Sequence, residues 1–259
     1  MTPAPENNGC QLPEDLRRYY LDVMGIQLWT QLDPDTSSPR ASAERDNSAK
    51  LTAGSAADTG HAAINAASLA PAVADTSVSM QWQSLQAEVA SCTKCELHSS
   101  RTQTVFGIGN HNADVLIIGE APGQDEDAQG EPFVGRAGKL LDAMLLAIGL
   151  QREEVYIANI LKCRPPGNRD PHADEVSQCH PYLQQQIELL QPKVIFAVGR
   201  IAAQSLLQTD ETVGKLRGRL HDFQGIPMIV SYHPAYLLRK PTEKRKSWHD
   251  LLRLKAVLN

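Results

Sequence analysis

Long hydrophobic runs are missing from this chain, and so is a basic N-terminal start followed by an apolar stretch. Nothing approaches the roughly 18 apolar residues that a membrane-spanning helix needs, and the opening M-T-P-A-P-E-N-N-G has neither part of a secretory signal. The expected location is cytoplasmic, a reducing compartment that disfavours structural disulfides. Aromatic residues are scarce at 5%. Residues 37–79 contain none, being mostly Ala, Ser, Thr, Asp and Pro with scattered aliphatics. Such a segment buries too little apolar surface to offset chain entropy, so residues 37–80 are expected to be a disordered linker. Positive charge is also short, with a net charge of −5. Residues 1–80 hold five basic against ten acidic residues and carry the whole deficit, and the remainder balances at twenty each. Within that neutral block, residues 215–246 contain eight basic residues and two acidic ones. A local stripe of this kind can contact phosphates without making the domain basic overall.

Cysteine is sparse, yet four of the five, Cys92, Cys95, Cys163 and Cys179, frame the segment richest in motifs. The first pair forms C-T-K-C; the others sit in K-C-R-P-P-G-N-R and S-Q-C-H-P. In a reducing compartment such cysteines read as metal ligands rather than disulfides. Zinc and an iron–sulfur cubane both accept four thiolates, and the residues leave that choice open. The alternative is four unrelated buried thiols. Cys10 lies far upstream and is expected to be a free thiol.

The length allows one large domain or two small ones, and composition favours one domain over residues 81–259 with an appendage. In residues 12–29, Leu16, Tyr19, Tyr20 and Val23 recur at near-helical spacing and predict an amphipathic segment within residues 1–36. It either docks on its own domain or binds a protein partner. Downstream, short apolar runs at residues 113–119, 155–160, 193–199 and 227–234 predict four strands. Helical patterns at residues 137–148, 175–190, 201–207 and 242–258 alternate with them. This alternation indicates an α/β fold, a mostly parallel four-stranded sheet covered on both faces. Ligands bind such sheets at the carboxyl ends of the strands. Glu120, Asn159 and His233 each fall at or beside such an end.

Each motif there has a chemical use and a bland alternative. G-E-A-P-G (residues 119–123) bends the chain directly after a strand and can set backbone N–H groups and Glu120 against a flat ligand; otherwise it is a tight acidic loop capping a helix. Phe133, between Pro132 and Val134, is either core or a stacking platform for a base. Asn159 offers one acceptor and two donors, suited to a pyrimidine edge or to a satisfied core position. His233 precedes Pro234, which holds it in extended backbone and out of a helix.

Together these residues resemble the family 4 uracil-DNA glycosylases, the iron–sulfur branch of that superfamily, over residues 85–258. The resemblance is carried, in order, by C-T-K-C, G-E-A-P-G, G-E-P-F-V-G-R-A-G-K-L-L-D, N-I-L-K-C-R-P-P-G-N-R-D-P, the fourth cysteine and H-P-A. It implies a three-layer α/β/α fold, a [4Fe–4S] cluster on Cys92, Cys95, Cys163 and Cys179, and removal of uracil from single- or double-stranded DNA by a monomer. It further implies that Glu120 and Ala121 present side chain and backbone to the flipped base. Phe133 would stack on the ring, Asn159 would pair with its O4 and N3 edge, and Glu126 would wall off C5. His233 would donate toward O2 as the base leaves. Arg164 and the segment Tyr236, Leu237, Leu238 and Arg239 would contact DNA. That segment is expected as a loop able to insert an apolar wedge where the base was.

The match has one departure. Some related glycosylases carry a water-positioning aspartate where this chain has Ala121. Either Glu120 or Glu126 then aligns the water, or dissociation is advanced enough to need little alignment. No inserted basic loop separates Leu220 from His233, so turnover rather than covalent linkage to DNA is expected. The competing function is a non-catalytic metal-stabilised nucleic-acid-binding accessory, which explains the cysteines and the basic stripe but not Glu120, Asn159 and His233 together.

Overall fold

The computed structural model describes residues 72–259 together with Arg18. The expected segment of residues 12–29 and most of the linker lie outside the described residues. Helix α1 (Ala72–Ala90) begins inside the stretch expected as linker up to residue 80. Composition concealed it, because its apolar anchors Trp82, Leu85 and Val89 fall in the second half while the first half is rich in small residues. Trp82 stacks on His111 with ring centroids 4.2 Å apart, which pins the helix to the turn after the first strand.

The sheet has six strands: β1 (Ile108–Gly109), β2 (Val115–Gly119), β3 (Tyr156–Asn159), β4 (Val194–Val198), β5 (Leu220–Phe223) and β6 (Ile226–Ser231), in the order β1-β3-β2-β4-β6-β5. The four expected strands form the parallel centre, β3-β2-β4-β6. The expected count of four is corrected by an antiparallel edge on each side, β1 on β3 and β5 on β6. A two-residue strand offers no periodicity to read. β5 escapes notice because only Phe223 of its four residues is buried.

Alternation along the central strands feeds two cores. Leu116, Ile118, Tyr156, Ala158, Ile195 and Ala197 face α1, α4 (Ala173–Leu190), α5 (Arg200–Leu207) and α6 (Val213–Leu216). Val115, Ile117, Ile157, Val194, Phe196 and Ile229 face α3 (Arg136–Leu146), α7 (Pro234–Arg239) and α8 (Lys244–Leu258). A short helix, α2 (Gln124–Gln129), follows the G-E-A-P-G turn. Both faces of the sheet are thus covered, as parallel sheets require, and the strand ends are left to build a site. Among the described residues, no helix is long and apolar enough to cross a membrane.

Candidate active site and cysteine cavity

The carboxyl ends of β2, β3, β4 and β6 open on one cavity of about 810 Å³. Its lining includes Glu120, Ala121, Glu126, Phe133, Asn159 and His233. The volume lies within the range of about 300–1,000 Å³ usual for small-ligand sites.

Backbone pairing continues past the strands and fixes the floor. Gly119 is in register with Asn159, and the carbonyls of Gly119 and Glu120 accept from the N–H groups of Ile160 and Leu161, both at 3.0 Å. The Asn159 side chain is buried, and among the described residues its Oδ1 finds no hydrogen-bond partner. An orphaned buried acceptor costs about 1–3 kcal/mol, a cost recovered when a ligand donor reaches it. Gly119 is glycine because of this neighbour: a Cβ there would lie 2.4 Å from Asn159 Oδ1 and 2.7 Å from the Phe133 ring.

Phe133 occupies the left-handed region (φ 55°) and packs its ring over His233, with centroids 5.5 Å apart. The close approach of helix α3 beneath this loop requires Gly138, where a Cβ would meet the Phe133 carbonyl at 1.7 Å. The loop is bracketed from the other side by Glu126. Its Oε2 accepts from the N–H of Gly123 at 3.0 Å, and its Oε1 accepts from those of Val134 and Gly135 at 3.0 and 3.1 Å. A carboxylate engaged by three amides has little capacity left for a water. Glu120 differs, since among the described residues nothing hydrogen-bonds its carboxylate. Burial raises its pKa, the nearby Asp170 raises it further, and Arg200 opposes both.

His233 is the N-cap of α7, with Pro234 at the first helical position, where the missing N–H costs nothing. The expected loop after His233 is therefore helical, with His-Pro as its start signal. Nδ1 of His233 accepts from the Ala235 N–H at 3.1 Å, so the neutral ring carries its proton on Nε2. Burial, with a smaller contribution from Arg239, pushes its pKa down to about 4. The ring is a neutral donor near pH 7.

The wedge expectation needs correction. Leu237 is 1% exposed and packs into the α3–α8 core, so it is not available to enter DNA. Leu238 is partly buried against the same core. Tyr236 and Arg239 do line the cavity. Tyr236 lies against Tyr232, with ring centroids 4.9 Å apart. Arg164 is not among the lining residues; its Nε donates to Asn168 Oδ1 at 2.7 Å across the turn that borders the cavity. Of the eight basic residues in the stripe, Arg217, Arg219 and Lys246 pair internally with Asp250, Glu211 and Glu243. The Arg217–Asp250 pair is structural and was not foreseen: buried Asp250 also accepts from Ser231 Oγ at 3.0 Å, two residues before His233.

Behind the β3 end lies a second cavity, lined by Cys92, Cys95, Cys163 and Cys179 together. All four are free, the last two buried. Two hydrogen-bond donors face the sulfurs. Arg101 Nη1 donates to Cys163 Sγ at 3.1 Å, and the Lys162 N–H donates to Cys179 Sγ at 3.2 Å. Burial in turn raises the pKa values of Cys95 and Cys163 and pushes that of Cys179 up to about 11. Among the described residues, no three metal-binding side chains close on a single point. The donor set fits a metal centre with thiolate ligands, held by three separate segments.

A family model described as the uracil DNA glycosylase superfamily matches residues 106–252, more than half of the chain. A type-4 uracil-DNA glycosylase of Archaeoglobus fulgidus is 45% identical over 175 residues, covering 64% of this chain and 88% of the relative. One of Thermotoga maritima is 44% identical over 153 residues, covering 58% and 80%. A type-5 uracil-DNA glycosylase of Pyrobaculum aerophilum is only 31% identical over 147 residues, covering 50% and 64%. The cavity at the strand ends, the cysteines behind it and these matches agree: the chain belongs to the uracil-DNA glycosylase superfamily, in its type-4 branch.

Proposed function

We infer that the strand-end cavity receives a uracil flipped out of DNA and that the chain hydrolyses its N-glycosidic bond, leaving an abasic site for base excision repair. The observation that carries this reading is the buried Asn159 side chain in the cavity lining, whose Oδ1 has no hydrogen-bond partner among the described residues. The N3–H of uracil supplies the missing donor, and O4 accepts from the same amide. Phe133 covers the ring. Asn159 alone does not discriminate against thymine, which shares this edge. Glu126, tied to three amides, is a wall unable to swing aside from a C5 methyl group.

Bond breaking leaves the C1′–N1 electron pair on uracil and an oxocarbenium-like sugar. Negative charge spreads to O2, where His233 Nε2–H donates from a neutral ring. Such a donor in a dry site stabilises the transition state more than the ground state. Water then adds to C1′. Glu120 is the carboxylate left to align it and take its proton, because Glu126 is occupied by its amides. Tyr236 and Arg239 at the mouth, with Arg164 beside it, are the proposed DNA contacts.

We propose that Cys92, Cys95, Cys163 and Cys179 hold a [4Fe–4S] cluster. The support is that four thiols from three separate segments line one cavity, with Arg101 and the Lys162 N–H donating to two of the sulfurs, in a chain of the type-4 branch. When bound, the cluster cross-links the α1 end, the β3 end and α4. Incubation with uracil-containing and thymine-containing oligonucleotides, followed by alkali, tests the activity. Strand breaks with uracil alone support it; binding without breaks points to a non-catalytic module.

A further inference from the structure

Lys162 is 1% exposed and no carboxylate pairs with it among the described residues. Burying an ammonium group with no carboxylate beside it is costly, so its contacts need an explanation that core packing does not supply. Its Nζ donates to the main-chain carbonyl of Asn159 at 3.0 Å and to Gln186 Oε1 at 2.6 Å. Gln186, fully buried on α4, is itself held: its Nε2 donates to the Phe106 carbonyl at 2.9 Å and to the Tyr156 hydroxyl at 3.2 Å. The backbone of Lys162 is fixed on both sides. Its N–H donates to Cys179 Sγ at 3.2 Å, and its carbonyl accepts from the Val105 N–H at 2.8 Å.

Asn159 is the last residue of β3, where the parallel ladder ends. Its carbonyl would otherwise be buried beyond the ladder without a donor. We propose that Lys162 is a positioning residue: a strut between α4 and the Asn159 main chain that holds the Asn159 amide at the height the base requires. It does so from the wall of the cysteine cavity, so the same residue sets the distance between that cavity and the cavity floor. The proposal rests on the assignment of Asn159 to uracil recognition. Methionine keeps the stem while removing the donors.

The test compares single-turnover excision, and calorimetric binding of free uracil, in the wild type, Asn159→Ala, Lys162→Met and the double variant. Lys162→Met should slow excision about 10- to 100-fold, the range for a reacting group misplaced by roughly 1 Å. It should weaken uracil binding while leaving affinity for uracil-free DNA unchanged. In the Asn159→Ala background the same change should have no further effect, because its target is already gone. A double variant whose loss is the product of the two single losses would overturn the strut alone. Wild-type kinetics in Asn159→Ala would overturn the uracil assignment and the strut with it. If Lys162→Met does not fold, Gln186→Met cuts the far end of the strut and is subject to the same cycle, with the same two outcomes.

Discussion

Gly119 and Asn159 lie opposite each other at the ends of β2 and β3, so close that one methyl group at position 119 would reach within 2.4 Å of Asn159 Oδ1. The neighbour on the other side is the Phe133 ring, at 2.7 Å. Backbone pairing prevents either strand from retreating. Gly119→Ala should therefore push both side chains from their places and lower the single-turnover rate by about 100-fold, the cost of roughly 1 Å of misplacement. Circular dichroism should show the fold retained. A variant with normal kinetics would mean that Asn159 and Phe133 do not hold the base.

Glu126 is expected to behave as a bracket. Glu126→Ala frees the N–H groups of Gly123, Val134 and Gly135 and loosens the Phe133 loop. Uracil excision should fall, with no gain of thymine excision to match it. Clean acquisition of thymine activity at an unchanged uracil rate would show that the carboxylate is a steric gate and nothing more.

Leu237 and Tyr236 separate core from surface. Leu237→Ala should destabilise the protein by about 2–5 kcal/mol, the usual cost of emptying a core leucine site, read as a lower denaturant midpoint. Tyr236→Ala should leave the midpoint near wild type and weaken binding of uracil-containing DNA. The reverse pattern would restore the wedge to Leu237.

Much of this architecture could be read from the residues because buried parallel strands are continuous apolar runs, and 115–119, 156–159 and 194–198 are buried at every position. Their ends located the cavity, since loops after such strands have nowhere else to converge. What escaped were elements whose signal is weak or shared. β1 has two residues, and α7 is one and a half turns beginning at a His-Pro that reads equally as a loop. Leu237 looked like a wedge because the sequence of a short helix does not say which face meets the core. The role of Lys162, and the three-amide bracket made by Glu126, are hidden for another reason. A charged residue is expected on the surface, and only coordinates reveal that Lys162 is buried on two neutral acceptors and that Glu126 spends its oxygens on three amides.

The cysteine cavity makes a prediction about composition. Anaerobically purified protein should be brown and contain iron and sulfide in equal amounts, about four of each per chain. Cys163→Ser should lower stability before it alters chemistry, because Cys163 lies four residues beyond Asn159. Colourless protein with stoichiometric zinc would contradict the cluster.

The pH dependence follows from two opposite shifts. His233, pushed down to about 4, stays neutral in the folded state while the unfolded chain takes up a proton below about 6.5. Its contribution to stability is complete above pH 6.5 and is lost as pH falls toward 4. Excision should therefore show no loss near pH 6.5. Glu120 is shifted upward by burial, so an acid limb should appear above the ordinary glutamate range and disappear in Glu120→Gln. A limb near pH 6.5 that vanishes in His233→Gln would mean that the imidazolium is the active form.

Catalysis turns on a hydrogen bond that His233 donates from Nε2–H to uracil O2 as the glycosidic bond breaks. The direct measurement is single-turnover excision by His233→Ala at saturating protein, alongside its affinity for uracil-containing DNA. The rate should fall by roughly 10²–10³, the range for losing one oxyanion-type donor, with affinity nearly unchanged because phosphate contacts carry most of it. A variant that excises uracil at the wild-type rate, or that loses binding and rate in equal measure, would contradict it.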